Sequence, residues 1–445
     1  MRPKVSICIT AIAAIAVWTI LIGFAEGQQA KQLPRYYVIN LGEPGGGNSA
    51  AAASINNIGW IAGDAVQSGN ANELAELWAG TPISLGTLGG ANSAVAWPNK
   101  NNHGQIAGIS ETADMNPLNE IWSCAQANFS SFPPTGHICL GFLWDNGAMN
   151  ALPPLPGGLD SYATAVNNRG QVTGWAENGV HDPTCNNTPP INQVLQFEAV
   201  VWGPNLGEMT QLSPLGSDPD SAATAINDRG QIVGISGLCA NAAGTTSAEH
   251  AVLWENKYAA PIDLGNFDGG LAWNTPTALN NRGQVAGFGN QRGSPATAFN
   301  PIGFLWSKQH GIQSIPPIGD DAQSWAWGIN DHGQVVGQSF NLDTGAARAF
   351  LYENGQLTDL NTLVQRDSPV ELLLANDIND AGEIVGFGVD TKTGVTVAFL
   401  AVPAGSNQSA QRRADSESSR VGAANVARGS TGTFGRFAAG SSRSR

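Results

Sequence analysis

The sequence predicts an all-β protein: a seven-bladed β-propeller of four-stranded antiparallel blades, closed by pairing of the N-terminal strand with the last blade. Three observations predict it. A turn motif recurs seven times, at steps of 45, 66, 60, 53, 50 and 49 residues. Each copy but the last is followed by two further short apolar runs. The last lacks its fourth strand, and an orphan strand at the start of the body can supply it. Self-similarity at this spacing marks a repeat architecture.

The motif is clearest as AINDRGQIVGIS, residues 225–236. Close copies are AVNNRGQVTG (165–174), ALNNRGQVAG (278–287), GINDHGQVVG (328–337) and DINDAGEIVG (377–386). SINNIGWIAG (54–63) and NKNNHGQIAG (99–108) are looser. Each copy reads as a tight hairpin between strands a and b. Ala225 and Ile226 end strand a, Asn227-Asp228-Arg229 turn, and strand b starts at Gln231. The turn glycines are Gly59, Gly104, Gly170, Gly230, Gly283, Gly333 and Gly382. Each stands where a type I turn plus bulge needs a left-handed residue, which Gly adopts at no steric cost. The Asn can fold its side chain back onto the turn backbone. The second Gly, Gly234 in the clearest copy, lies inside strand b and suggests close approach of a neighbouring backbone.

Strand c follows, as in HAVLWEN (250–256), then strand d, as in PIDLG (261–265). Strand a is rich in small residues, SAATA at 221–225. Small side chains suit the crowded centre where propeller strands converge. YYVINLG (36–42) is the orphan strand d, and the last unit ends at Val402 after three strands. Seven blades over 36–402 give roughly 52 residues each, near the usual propeller repeat of about 40–50.

The repeated A-x-x-I-N-x-x-G-x-I-V-G, followed by A-F-L-W and L-G-x-L-G-G, resembles the HAF repeat, a probable bacterial extracellular repeat. The resemblance covers 36–402. Two departures are visible: the a–b turn of blade 2, around Trp97–Asn102, holds extra residues, and the strand c Trp is replaced in the last two blades, by Tyr352 and by AFLA. The resemblance implies an extracellular location and a repeat architecture. It brings no agreed activity and no catalytic residues.

Residues 1–27 read as a secretory signal peptide, with Arg2 and Lys4 before an apolar run from Val5 to Phe24 and Ala25-Glu26-Gly27 as the cleavage site. The run is 20 residues long, so an uncleaved leader would anchor the chain in a membrane. A linker, 28–35, precedes the propeller. Beyond it, 403–445 is rich in Ser, Gly, Ala and Arg and is expected to be disordered. Cys8 leaves with the leader. Cys124, Cys139, Cys185 and Cys239 remain, and their placement in b–c insertions of blades 2, 3 and 4 favours pairing as 124–139 and 185–239. No C-x-x-C occurs, which argues against zinc and redox chemistry.

The net charge is −14; the leader is net +1 and the tail from Ala404 net +5, so the body carries −20. So acidic a body argues against nucleic acid as a partner. The I-N-D-x-G turns supply too few oxygens for calcium, which wants about six to eight. No H-E-x-x-H and no G-x-S-x-G occurs. No metal, cofactor or catalytic residue is therefore assigned.

The strand c tryptophans, Trp78, Trp144, Trp202, Trp254 and Trp306, recur once per blade and read as inter-blade packing. Trp97, Trp122, Trp175, Trp273, Trp325 and Trp327 do not follow the repeat, and Trp97, Trp273, Trp325 and Trp327 are the ligand-binding candidates among them. They either fill the wide end of the channel or stack on a sugar or partner at the face shared by the d–a and b–c loops. Asp160, Asp218, Asp268, Asp320 and Asp321 lie in the d–a connections of that same face. The a–b face carries His103, Arg169, Arg229, Arg282 and His332 and reads as basic.

The first functional reading is therefore a secreted or cell-envelope propeller, monomeric, acting as a non-catalytic binding or scaffold protein. Its ligand, a cell-surface protein or glycan, would sit on the d–a/b–c face. The alternative is a carbohydrate-active hydrolase or lyase using carboxylates at the channel mouth. Two carboxylates roughly 5–10 Å apart beside an aromatic platform would favour the alternative.

Overall fold

The computed structural model describes residues 34–70, 72–125, 135–185, 192–205, 207–239, 248–267, 274–291 and 300–405. The leader, Trp273, Asp268 and the tail from 406 lie outside them. The strands form seven four-stranded antiparallel sheets, each strand pairing with its sequence neighbour. In blade 4 these are Asp220–Ile226, Ile232–Gly237, His250–Trp254 and Ile262–Asp263 as strands a to d. Blade 7 draws strands a to c from Val370–Ile378, Ile384–Asp390 and Thr396–Pro403; its strand d is Tyr36–Gly42, in register from Tyr36↔Pro403 to Asn40↔Phe399. The ring is closed as the sequence predicts.

Closure is also a packing event. Ile39 and Leu41 of the closing strand join Val385, Ala398, Leu400 and Val402 of blade 7 and Ile55, Ile61 and Trp78 of blade 1 in one core cluster. The strand c tryptophans are buried between blades. Trp254 is fully buried, and its Nε1 donates to the Ser213 carbonyl of blade 3 at 2.8 Å. Trp202 does the same toward the Pro153 carbonyl of blade 2, at 3.0 Å.

The a–b turns build a second closure. The buried turn asparagines, Asn56, Asn101, Asn167, Asn227, Asn280, Asn330 and Asn379, each donate Nδ2 to the carbonyl of the same Asn in the next blade. The bonds are 2.8–3.1 Å, and the last, from Asn379 to Asn56, completes the circle. Each Oδ1 meanwhile accepts two backbone N–H groups of its own turn; for Asn227 these come from Arg229 (3.1 Å) and Gln231 (3.0 Å). One side chain thus shapes its turn and ties two blades.

All seven turn glycines have positive φ, between 72° and 83° for six of them and 84° for Gly230. The strand b Gly has a different reason. A Cβ on Gly234 would lie 2.0 Å from the Ala222 carbonyl oxygen, because strand a bulges between Ala223 and Ala225 and its backbone leans onto strand b. At Gly230 the nearest atoms, on Arg169 and Gln171, are 3.6 Å or more away. Gly230→Ala is therefore expected to cost about 1–2 kcal/mol, the strain of a left-handed Cβ, and Gly234→Ala more, since it collides with backbone. Thermal melts of both variants check this: an unchanged Tm for Gly230→Ala would contradict the turn, and a milder effect at Gly234 the bulge. In blade 2 the expected extra residues are present: Ala94 to Asn101 spans two more than the matching Ala222 to Asn227. Asn99 compensates, its side chain bonding both the N–H (3.0 Å) and the carbonyl (3.2 Å) of Ala107 on strand b.

Candidate functional site: the channel axis and the cap beside it

The strand a bulge sets what faces the axis. It falls at Ala53, Thr164, Thr224, Thr277, Trp327 and Asn376 in six blades. Most of these residues bridge to the next innermost strand. Thr224 Oγ1 donates to the Pro276 carbonyl at 2.6 Å, Thr277 Oγ1 to that of Ala326 at 2.9 Å, and Asn376 Nδ2 to that of Ala52 at 2.9 Å. Blade 6 places Trp327 there instead. It meets the Trp97 ring of blade 2 edge-on, centroids 6.3 Å apart, and Phe288 of blade 5 at 5.9 Å. Trp97 is 6% exposed. Two of the tryptophans that break the repeat thus converge near the axis. Trp325 does not join them: it is half-buried, edge-on to Phe340 at 6.2 Å.

Blade 1 lines the same region with acid. Opposite the strand b Gly, strand c carries Phe142, Val200, Val252, Phe304, Phe350 and Phe399 in blades 2 to 7, but Glu76 in blade 1. One residue after that Gly stand Ile109, Trp175, Ile235, Phe288, Gln338 and Phe387, but Asp64 in blade 1. The Asp64 and Glu73 carboxyls interact directly, and Glu73 Oε2 is buried without a donor, so a hydrogen bond between them would require a shared proton. Burial, then Glu73 and Glu76, hold the Asp64 carboxyl well above its ordinary range. Burial pushes Glu76 up to about 7. The Tyr162 hydroxyl is raised by burial and then by Asp64. The sequence reading missed this trio. The signal was available in the repeat itself: acids at two positions that are apolar in most other blades.

Three of the acids named from sequence do structural work. Asp160 is fully buried and accepts from the Cys139 N–H (2.9 Å) and Asn116 Nδ2 (3.2 Å). Asp218 accepts from Ser236 Oγ at 2.7 Å. Asp321 accepts from Ser339 Oγ (2.7 Å) and pairs with Arg348 (2.8 Å). Asp320 is exposed.

Beside the axis, the b–c insertions of blades 2, 3 and 4 form one cap. Cys124–Cys139 closes the blade 2 insertion, and Cys185–Cys239 joins those of blades 3 and 4. Glu120 of blade 2 accepts from the Val194 and Leu195 N–H groups of blade 3 at 2.9 and 2.7 Å. Trp122, Trp175 and Phe197 pack beneath, with Trp122–Phe197 centroids 4.3 Å apart. Met115, Val180 and Leu238, at the feet of the three insertions, are exposed by 58, 53 and 41%.

The opposite mouth is narrow. A further ring runs outside the asparagines, each turn N–H donating to the side chain of the next blade, from Asn57 to Asn102 Oδ1 (2.9 Å) round to Asp380 and Asn57 Oδ1 (2.9 Å). Asp228, Asp331 and Asp380 belong to it. The space they enclose has room for water, about 40 Å³. These carboxylates also correct the expectation of a basic a–b face: Arg169, Arg229 and Arg282 are exposed there, but acids of the same turns lie inside them.

No protein-family model matches the chain, and no curated protein does. Among solved structures it is similar to Trypanosoma rangeli sialidase, with TM-score 0.36 and 8% identity over 83% of this chain and 60% of that one. The same sialidase in complex with the inhibitor DANA gives TM-score 0.37 and 9% identity, over 84% and 61%. The chain therefore spans about 60% of the length of these structures. Likeness at this level carries no argument about chemistry.

Proposed function

We propose that this chain is a secreted or cell-envelope propeller of the HAF-repeat kind, a non-catalytic binding scaffold whose ligand sits on the d–a/b–c face. The observation that carries this is the cap. Among the described residues, only blades 2 to 4 tie b–c insertions to one another; two disulfides hold them, and one apolar side chain of each blade is left exposed at the foot. A ring of blades does not need such an elaboration to close. Disulfides persist in oxidising compartments, which supports an extracellular or periplasmic setting. Among the described residues no helix is long and apolar enough to cross a membrane.

The test is a binding screen of the intact protein against cell-surface glycans and envelope proteins, followed by Met115→Asp, Val180→Asp and Leu238→Asp. Because these residues are exposed, the variants should fold, and binding should weaken at least about tenfold, or 1.4 kcal/mol. Full binding by all three would exclude the cap as the ligand surface.

A second reading, the carbohydrate-active hydrolase or lyase, draws on the Asp64–Glu73 pair beside Tyr162. A directly interacting pair is closer than the roughly 5–10 Å at which two carboxyls flank a glycosidic bond, which favours the first reading. Release of reducing ends from polysaccharide by the wild type, abolished in Asp64→Asn, would reverse that order.

A further inference from the structure

We propose that Asp182 and Asp220 form a proton-dependent latch: one shared proton fastens residues 182–185 of blade 3 to the innermost strand of blade 4, and its loss as pH rises frees them. The inference concerns the cap's own conformation and stands whether or not the cap binds a ligand.

The geometry comes first. Asp182 organises the insertion: its N–H donates to the Val194 carbonyl (3.0 Å), its carbonyl accepts from Cys185 N–H (3.2 Å), and its Oδ1 accepts from Thr184 N–H (2.6 Å). Asp220 opens strand a of blade 4, and its Oδ1 accepts from the Phe197 N–H at 3.0 Å. The two residues are 4% and 1% exposed. The Oδ2 atom of each is buried without a donor, and each carboxyl feels the other directly. Carboxylate oxygens only accept, so a hydrogen bond can join them only while one of them carries a proton.

Among the described residues of the surrounding elements, no Lys or Arg neutralises the pair. Strands 172–181, 195–202, 220–226 and 232–237 contain no Lys or Arg, and neither do the insertion residues 116–125, 182–185 and 192–194. The groups facing the pair are themselves acids. Glu198, on the strand between, accepts from Ser221 Oγ at 2.9 Å, and burial pushes it up to about 7. Behind lie Glu120, Asp160 and Glu177; burial, then Glu120, lifts Glu177 to about 8. His181 ends the strand that precedes Asp182, and its charge favours the ionised form of Glu120. On blade 4, Asp218 and Glu249 accept from Ser236 Oγ and the Leu238 N–H. A buried acidic site with no Lys or Arg beside it holds its charge down with protons.

Burial, then the bond to Asp182, raises Asp220 from 3.8 to about 9. Asp182, although burial opposes it, is held below its ordinary value by the bonds from Asp220 and Thr184. A raised carboxyl binds its proton more tightly folded than unfolded. Its contribution is complete below about 4 and is lost as pH rises through about 9. Across neutral pH the cap is therefore latched, and deprotonation puts two anions face to face.

Cys185–Cys239 joins this insertion to blade 4, so its reduction reports the opening. Full-length protein is treated with a phosphine reductant at pH 6, 7, 8 and 9, and the freed thiols are quantified by alkylation and mass spectrometry. Cys124–Cys139 serves as the internal reference. The Cys185–Cys239 rate, relative to the reference, should rise about tenfold per pH unit up to the titration midpoint, since opening needs loss of one proton. Asp220→Asn keeps an acceptor for Phe197 and gives Asp182 a permanent donor, so its relative rate should stay flat from pH 6 to 9. A flat wild-type profile overturns the proposal, as does an Asp220→Asn profile as steep as the wild type. Should Asp220→Asn not fold, a carbon-13 carboxyl titration of the wild type decides: no aspartate titrating above pH 7 would overturn it.

Discussion

Removing residues up to Gly42 is expected to abolish soluble, folded protein. The strand Tyr36–Gly42 is the outer edge of blade 7 and its only link to the chain's beginning. Tyr36, Val38, Ile39 and Leu41 are each at most 6% exposed. At about 1.5–3 kcal/mol per buried side chain, their loss is on the order of 6–12 kcal/mol, comparable with the whole stability of a typical domain, about 5–15 kcal/mol. The strand also ties the blade 6–7 connection: Tyr36 N–H donates to the Leu363 carbonyl, and the Gln365 side chain bonds both Val38 N–H and Val38 carbonyl. Without it, Thr396–Pro403 becomes an open edge, a template for aggregation. A permuted chain tests the physical cause. Tyr36 pairs with Pro403, so residues 36–42 can be attached after 403 through a short turn, with the chain opened at Gly46. The permuted protein should recover cooperative melting; failure of the permutant together with full folding of the truncation would refute closure as the source of stability.

The second large effect is expected at the asparagine ring. Asn227→Ala removes one inter-blade bond to the Asn280 carbonyl (3.0 Å) and two bonds that shape its own turn. At about 1 kcal/mol each, the loss is about 3 kcal/mol, more where a buried group is left unsatisfied. Asn227→Asp should be nearly as harmful, because it cannot donate and faces a carbonyl. The neighbouring position behaves oppositely where its neighbours are uncharged: Asn102 accepts the Asn57 N–H as Asp228 and Asp331 accept those of their preceding blades, so Asn102→Asp should change the Tm little. Equal effects at 227 and 102 in thermal denaturation would show that the inner ring has no special role.

The contrast between those two positions shows what could be read directly from the chain. The period, the left-handed glycines and the Asx geometry of the turn are local, and local geometry follows from residue type at fixed offsets. Closure was legible too, because a missing fourth strand and an apolar orphan strand leave one way to satisfy both edges. The pairing of Cys124 with Cys139 and of Cys185 with Cys239 followed from neighbouring loops.

Function-bearing placement was not local. Trp327 lies near the axis because a bulge in strand a turns that one position inward, and Trp325, two residues earlier, is set by the same strand against Phe340. Asp160 and Asp218 share a face with Asp320, yet the first two are consumed by backbone and serine donors while the third is exposed. The sequence by itself determined the ring, its seven units and the joint that closes it, since these depend on spacing and turn chemistry. Only the tertiary structure decided which carboxyls meet. Asp64 with Glu73, nine residues apart, and Asp182 with Asp220, on different blades, become directly interacting pairs only when strands pack side by side, because such an interaction is set by distance in space.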